Sequence, residues 1–193
     1  MDNKCLMVIR CFMPVFLIAA VMVPLSSVHA GDVMAQFDEQ GALLLPTGYR
    51  TWVYVGGSVT PNDMNNGKAA FPEFHNTYID PQSFELYQKN GTFPEGTILI
   101  KETVSVGSKQ SPSGNGYFMG DFTGLYAEVK DAKRFPGEPD NWAFFSFTPK
   151  PGDLPLKKAT AHKTASCSAC HQAGAEERVF TQYYPILGAC RAR

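Results

Sequence analysis

Residues 96–106 read GTILIKETVSV, and residues 117–130 read YFMGDFTGLYAEVK. Both stretches are rich in β-branched and aromatic residues, which is typical of β-strands. The short segment between them carries the serine, proline, glycine and asparagine residues of turns. Because strands joined by short turns pair as antiparallel neighbours, these two stretches predict part of an antiparallel sheet.

Three further strands extend this sheet in the sequence, at residues 49–60, 71–80 and 142–148. The strands do not alternate with helices in the rhythm that a parallel sheet requires. Pro81 follows Asp80, a favourable N-cap residue, and this pair predicts a helix over residues 81–89. We therefore predict an α+β, mainly β fold with about five antiparallel strands and a few helices.

The segments on either side of the sheet are less regular. Residues 31–48 predict a short helix or coil, and residues 149–166 predict a linker over the surface. Residues 167–192 show helical spacing of large apolar side chains. These side chains are Val179, Tyr183, Ile186 and Leu187. We expect a helical C-terminal segment after the sheet.

The first thirty residues have the features of a secretory signal. Lys4 and Arg10 precede an apolar run over residues 11–24, and small residues lead to Ala30. The run is shorter than the roughly 20 residues that a membrane-spanning helix needs, and it contains prolines. We predict export to the periplasm with cleavage after about Ala30.

Cleavage leaves residues 31–193, a length that fits a single domain. The whole chain carries 17 Lys and Arg residues against 18 Asp and Glu residues, with no long block of either sign. This balance gives no reason to expect a nucleic acid or an anionic membrane as partner. Cys5 and Cys11 lie in the signal, so the remaining cysteines are too few for a disulfide framework.

The peptide CSACH at residues 167–171 has the spacing of a c-type haem-attachment motif. Its two thiols can add across the two vinyl groups of one porphyrin while the next imidazole reaches the iron. We predict one haem c per chain, held by Cys167 and Cys170, with His171 as the iron ligand. A zinc site is the alternative, and it needs further cysteine or histidine ligands. Outside the signal these are Cys190, His75 and His162.

The residue on the other face of the iron is not settled by spacing. An electron carrier needs a second permanent protein ligand, whereas catalysis or gas binding needs an open position. The candidate ligands are Met64, Met119, His75 and His162.

Several blocks around the haem motif resemble the cytochrome P-460 family. They are GNGYFMGD at residues 114–121, NWAFF at 141–145 and VFTQYYP at 179–185, and the likeness extends from about Phe37 to about Leu187. The family includes hydroxylamine-oxidising enzymes and the related gas-binding cytochromes c prime beta. The resemblance implies a sheet-rich homodimer with a five-coordinate haem.

The resemblance also implies a role for Lys101. In the enzyme branch of the family a lysine nitrogen is bonded to a meso carbon of the porphyrin, and Lys101 occupies that place here. Without the family, Lys101 is a charge within an apolar strand, and we expect it to reach water from an edge strand. A bond to the ring would instead remove the charge and distort the macrocycle.

The resemblance places Tyr126 where hydroxylamine-oxidising relatives carry a carboxylate over the iron. Tyrosine is a weak base, but it can donate a hydrogen bond to a bound nitrogen oxide. Glu128 lies two residues on, on the same face of the strand, and is a second candidate for proton transfer. The alternative interpretation of Glu128 is an exposed surface charge beside Lys130.

The resemblance places His75 at a position where a relative carries an arginine. His75 is either a cationic or hydrogen-bonding pocket residue, with a pKa that can fall near neutral pH, or a structural histidine on a strand. Tyr126, Glu128 and His75 are thus the catalytic candidates.

These observations predict a haem enzyme that oxidises hydroxylamine to nitrous oxide or nitric oxide and passes electrons to a separate cytochrome. A nitric oxide or gas-binding protein without oxidase activity is the first alternative. A six-coordinate electron carrier, with Met119 or His75 as second ligand, is another.

Overall fold

The computed structural model describes residues 35–163 and 167–191. In chain order the strands are β1 (Leu43–Leu44), β2 (Val53–Val59), β3 (Glu73–Ile79), β4 (Ile98–Val106), β5 (Gln110–Ser111), β6 (Gly114–Asn115), β7 (Met119–Lys130), β8 (Trp142–Ser146) and β9 (Lys158–Ala159). The α-helices are α1 (Pro81–Asn90), α2 (Ser168–Gly174) and α3 (Pro185–Arg191). Short 3-10 helices cover Tyr49–Thr51, Asn62–Met64, Pro139–Asn141 and Thr181–Tyr183.

A five-stranded antiparallel sheet in the order β2-β3-β4-β7-β8 forms the body of the protein. It confirms the predicted fold class and each of the five predicted strands. The predicted signal peptide, residues 1–30, lies outside the described residues. Within the described ranges, none of the helices has the length and apolarity to cross a membrane.

Helix α1 confirms the helix predicted over residues 81–89. The Asp80 carboxylate caps it by accepting a hydrogen bond from the Ser83 backbone N–H at 2.8 Å. The second carboxylate oxygen accepts from the Ile98 N–H at 3.1 Å, at the first residue of β4. A single buried side chain thus fixes the start of the helix against the start of the central strand.

Two regions outside the sheet differ from prediction. The expected linker contains β9, which pairs with β1 in the segment predicted as helix or coil. The C-terminal segment is not one helical face, because α2, a 3-10 turn and α3 follow one another with breaks between them. As a result Val179 and Leu187 are buried, whereas Tyr183 and Ile186 are exposed.

The sheet has a hydrophobic cluster on each face. Side chains alternate along a strand, so Ile98 and Ile100 belong to one cluster and Leu99 to the other. The cluster around Leu99 includes Val179 and Leu187 from the C-terminal segment. We call the face that carries Leu99, and that the C-terminal segment covers, the C-terminal face.

Gly56 allows the C-terminal segment to approach β2 closely. Its φ is +152°, and a Cβ atom there would lie 3.1 Å from Pro185 Cδ and 3.3 Å from the Tyr183 carbonyl oxygen. Thr77 on β3 adds a hydrogen bond of 3.2 Å to the hydroxyl of Tyr184. These contacts attach the segment after the CSACH motif to the sheet.

Candidate haem site

The CSACH motif lies at the start of α2. Cys167 is the residue before the helix, and Cys170 and His171 lie within it. Cys170 is exposed, Cys167 is half-buried, and both are free thiols. Residues three apart on a helix lie on the same side, so the two thiols can serve one ligand.

The imidazole of His171 has a fixed orientation. Its Nδ1 lies 2.6 Å from the backbone carbonyl oxygen of Arg178, so Nδ1 is the nitrogen that donates a proton. The ring also packs against Phe144 and Phe180, at centroid distances of 4.5 and 4.8 Å. Burial lowers the pKa of His171, which favours a neutral ring with its Nε2 lone pair available to a metal.

An unusual turn presents the Arg178 carbonyl to His171. Glu177 and Arg178 have left-handed backbones, with φ of 48° and 67°. The Arg178 guanidinium anchors this turn through a hydrogen bond of 2.6 Å from Nε to Asp140. Non-glycine residues rarely adopt this conformation, so the contact could not be predicted from the sequence.

The strand register arranges the candidate residues in rows across the C-terminal face. One row is Ile79, Leu99, Glu128 and Phe144; the next is Thr77, Lys101, Tyr126 and Ser146; a third is His75, Thr103 and Gly124. Neighbouring rows are two residues apart, about 7 Å along the strands. His171 contacts the first row, Lys101 lies in the second and His75 in the third.

Lys101 lies in β4, the central strand of the sheet, so the prediction that it lies in an edge strand is wrong. Its Nζ lies 5.2 Å from the ring centroid of Tyr126 and 5.6 Å from that of Phe71. Among the described residues, no carboxylate comes within ion-pairing distance of it. Burial lowers the pKa of Lys101, although the charges of Glu128 and other groups oppose this.

Tyr126 lies beside Lys101, and its ring lies over Gly124. A Cβ atom at Gly124 would come within 2.8 Å of the Tyr126 hydroxyl and of a ring carbon. Burial raises the pKa of Tyr126, and the charge of Glu73 adds to the effect. The phenol is therefore protonated at neutral pH and acts as a hydrogen-bond donor.

Glu128 is largely buried, so the alternative of an exposed charge beside Lys130 is wrong. The Lys130 ammonium instead donates to the Phe93 carbonyl at 2.9 Å. Glu128 Oε2 lies 3.5 Å from His171 Nδ1 and makes no hydrogen bond to any described residue. Burial raises the pKa of Glu128 to about 8, and the charge of Lys101 opposes this rise.

His75 is a partly buried histidine whose ring meets Phe71 edge-on at 6.1 Å. Burial lowers the pKa of His75 to about 4, helped by the charge of Lys101 and opposed by a hydrogen bond to the Phe71 backbone. Its Nε2 is buried and has no hydrogen-bond partner in residues 35–163 and 167–191. The ring is therefore neutral at pH 7, not cationic.

The other candidate iron ligands lie in exposed settings. Met64 and Met119 are 74% and 55% exposed, and Met119 Sδ accepts from the Asn76 amide at 3.7 Å. His162 is exposed, and its Nε2 lies 2.7 Å from the Ser146 hydroxyl. The side chain of Cys190 lies outside the described residues.

The zinc alternative finds no support in the part of the chain that the structure describes. There, no three histidine, cysteine or carboxylate side chains cluster as metal ligands would. A haem fits this face of the sheet better, because it has two neighbouring thiols, a partly buried amine and an imidazole whose Nε2 makes no hydrogen bond among the described residues.

Sequence analysis missed several residues of this site. They are Gly124, Phe144, Phe180 and the Arg178 carbonyl. Gly124 could have been predicted from the sequence, because it precedes Tyr126 by two residues on the same face of the strand. A glycine there leaves space for the large neighbouring side chain. The packing of Phe144 and Phe180 on His171 depends on contacts between distant segments.

A haem-attachment helix lying on an antiparallel sheet defines a class of protein, the sheet-based c-type cytochromes. The family model for cytochrome P460 matches residues 46–181, more than half of the chain. The protein therefore belongs to the cytochrome P460 family and is a c-type haem protein, as the sequence resemblance predicted. This family is associated with haem oxidoreductase activity. No curated protein matches the chain.

Proposed function

We propose that the protein oxidises hydroxylamine at a five-coordinate haem c that is also bonded to Lys101. The observation that carries this proposal is the enclosed Lys101 amine, which lies on the face covered by the haem-attachment helix and has no ion-pair partner in the described chain. A free ammonium there is costly. A nitrogen bonded to the ring would not carry that cost.

In this scheme Cys167 and Cys170 would tether the porphyrin, and His171 would hold the iron through Nε2. Lys101 lies in the row next to the His171 contacts, which suits a bond to the ring edge. When bound, the haem supplies an open iron position and accepts electrons from a nitrogen ligand.

Proton release is the part of the reaction that the chain itself must support. Each hydroxylamine converted to nitric oxide gives up three protons and three electrons, so nearby acceptors lower the barrier. His75 lies beyond the Lys101 row from His171, and its Nε2 has no hydrogen-bond partner among the described residues. Its neutral ring can therefore accept a proton transiently, as a base weaker than a free histidine. Tyr126 is placed beside Lys101 to donate a hydrogen bond to the bound nitrogen ligand.

Glu128 is the third candidate for proton transfer that the sequence predicts. Its carboxyl lies beside Nδ1 of His171, the nitrogen that faces away from the iron in this scheme. We therefore assign proton acceptance to His75 and hydrogen-bond donation to Tyr126. We also propose a periplasmic homodimer, with a separate cytochrome as electron acceptor.

The test is reduction of an artificial electron acceptor by hydroxylamine, using protein produced in a host that matures c-type haem. We expect turnover by the wild-type protein and at least a tenfold lower kcat/KM in Tyr126→Phe. Absence of turnover by fully haem-loaded wild-type protein would contradict the proposal.

The gas-binding alternative is favoured by Tyr126, which is a hydrogen-bond donor and a weak base. It predicts tight nitric oxide binding by the ferrous protein with no hydroxylamine turnover. A low-spin ferrous form that does not bind carbon monoxide would instead identify a six-coordinate electron carrier.

A further inference from the structure

One buried carboxyl meets the His171 imidazole from the sheet. Glu128 Oε2 lies 3.5 Å from Nδ1, has essentially no solvent contact and makes no hydrogen bond within the described part of the chain. An unpartnered polar atom in the interior destabilises the fold. The Nδ1–H of His171 lies beside this Glu128 oxygen. A hydrogen bond between the two groups would offset the cost of burying the oxygen.

Two acceptors therefore converge on one nitrogen. The Arg178 carbonyl lies 2.6 Å from Nδ1, on a turn anchored by Asp140, and the Glu128 carboxyl lies close by. Metal-binding histidines commonly donate their second N–H to a carboxylate or carbonyl. Such partners fix the tautomer and ring orientation and make the ligand more basic.

The sheet register makes Glu128 a rigid partner. Glu128 on β7 is paired with Phe144 on β8, and the Phe144 ring packs on the same imidazole at 4.5 Å. One row of the sheet thus supplies both a polar and an apolar contact to His171. Phe180 completes the enclosure from the C-terminal segment.

We propose that Glu128 is a positioning residue for the axial ligand: its carboxyl oxygen and the Arg178 carbonyl are two acceptors for the Nδ1–H of His171, and together they hold the ring with Nε2 toward the place where the haem iron would lie. This inference rests on the proposed function only in taking His171 as the axial ligand. It gives Glu128 a role at His171 and not in proton transfer.

Lys101 is the competing partner of Glu128, because it lies in the adjacent row. The structure places the Lys101 ammonium over the rings of Tyr126 and Phe71, and its distance from Glu128 exceeds ion-pairing range. The closer polar contact of Glu128 is with His171. The two possible partners of Glu128, His171 and Lys101, predict different effects of a Glu128 substitution when Lys101 is also replaced.

The experiment measures the iron–histidine stretching frequency and the midpoint potential of haem-loaded protein. The variants are Glu128→Gln and Glu128→Leu, and the control is Asp121→Asn, which alters an exposed carboxylate on the same strand. We expect a lower stretching frequency and a higher potential in Glu128→Leu, which removes one of the two acceptors for the His171 N–H. We expect a smaller change in the same direction in Glu128→Gln, which keeps an amide oxygen, and no change in the control. If Glu128→Leu fails to fold, Glu128→Gln supplies the same comparison.

The same measurement in a Lys101→Leu background separates the two partners. We expect the effect of Glu128→Gln on the stretching frequency to persist there. Its disappearance would assign Glu128 to Lys101 and overturn the proposal, as would unchanged frequencies in the single variants. Absence of any iron–histidine band in the wild-type protein would overturn the axial assignment itself, independently of hydroxylamine turnover.

Discussion

At the scale of single residues, the site is built from polar groups that the sheet holds in a partly dry environment. His75, Lys101 and Glu128 are each in a setting that disfavours their charged forms. Such groups are costly to keep in a fold and are concentrated at functional sites. Their chemistry can be tested by pH and by small substitutions.

The depressed pKa of His75 gives stability that depends on pH. The folded-state pKa is about 4 against 6.5 for a free histidine, so the unfolded chain binds the proton first as the pH falls. Stability is therefore complete above about pH 6.5 and is lost as the pH falls toward 4.

Allowing for the accessible part of the ring, we expect this loss to be about 1–2 kcal/mol. Urea unfolding of wild-type protein and His75→Asn at several pH values measures it. The wild-type curve should fall more steeply between pH 6.5 and 4. Parallel curves would show that His75 titrates normally in the folded protein.

Gly124 is expected to control the position of Tyr126. In Gly124→Ala the new methyl group would overlap the Tyr126 ring and hydroxyl, so the ring must move. We expect kcat/KM for hydroxylamine to fall about tenfold, close to the effect of Tyr126→Phe. Gly137→Ala is the control, because a Cβ atom there meets open space. Equal kinetics for Gly124→Ala and Gly137→Ala would contradict this role.

At the scale of elements, the central strand and the helix before it are joined through one carboxylate. Removing the Asp80 side chain leaves the Ser83 and Ile98 N–H groups without their acceptor. We expect Asp80→Ala to lower the free energy of unfolding by about 2–4 kcal/mol, from the lost helix cap and the unpaired buried N–H.

Urea denaturation measures this loss, with Glu85→Ala as an exposed control on the same helix. The control should change stability by less than about 0.5 kcal/mol. Similar midpoints for the two variants would show that the carboxylate does not join helix and strand.

Helix α3 attaches the C-terminal segment through buried Leu187, whereas its neighbour Ile186 is 44% exposed. Truncating a buried leucine leaves a cavity, so Leu187→Ala should cost about 2–5 kcal/mol. Ile186→Ala should cost less than about 1 kcal/mol, because the side chain keeps much of its contact with water. Thermal unfolding of the two haem-loaded variants measures the difference, and equal melting temperatures would contradict the observed packing.

The elements that sequence analysis predicted correctly are those with a local signal. Each of the five strands has a run of β-branched or aromatic residues, and α1 has its Asp80 cap and Pro81. The pairing of β1 with β9 was missed, because it joins two-residue strands that are distant in the chain. Strand order is likewise non-local, which is why Lys101 was expected at an edge and lies at the centre.

At the scale of the whole molecule, the two faces of the sheet differ in composition. One face carries a hydrophobic cluster that includes Ile98 and Ile100. The C-terminal face combines a second cluster with the rows that hold Glu128, Lys101 and His75. The CSACH motif could be recognised from sequence alone, but its relation to these rows required the fold.

The central claim is that Lys101 joins Cys167 and Cys170 in holding the haem on the C-terminal face. The most direct test is the absorption spectrum of the ferrous protein, with intact mass, for the wild type and Lys101→Leu. We predict a red-shifted Soret band in the wild type alone, with haem covalently retained in both. Identical ordinary c-type spectra would contradict the claim.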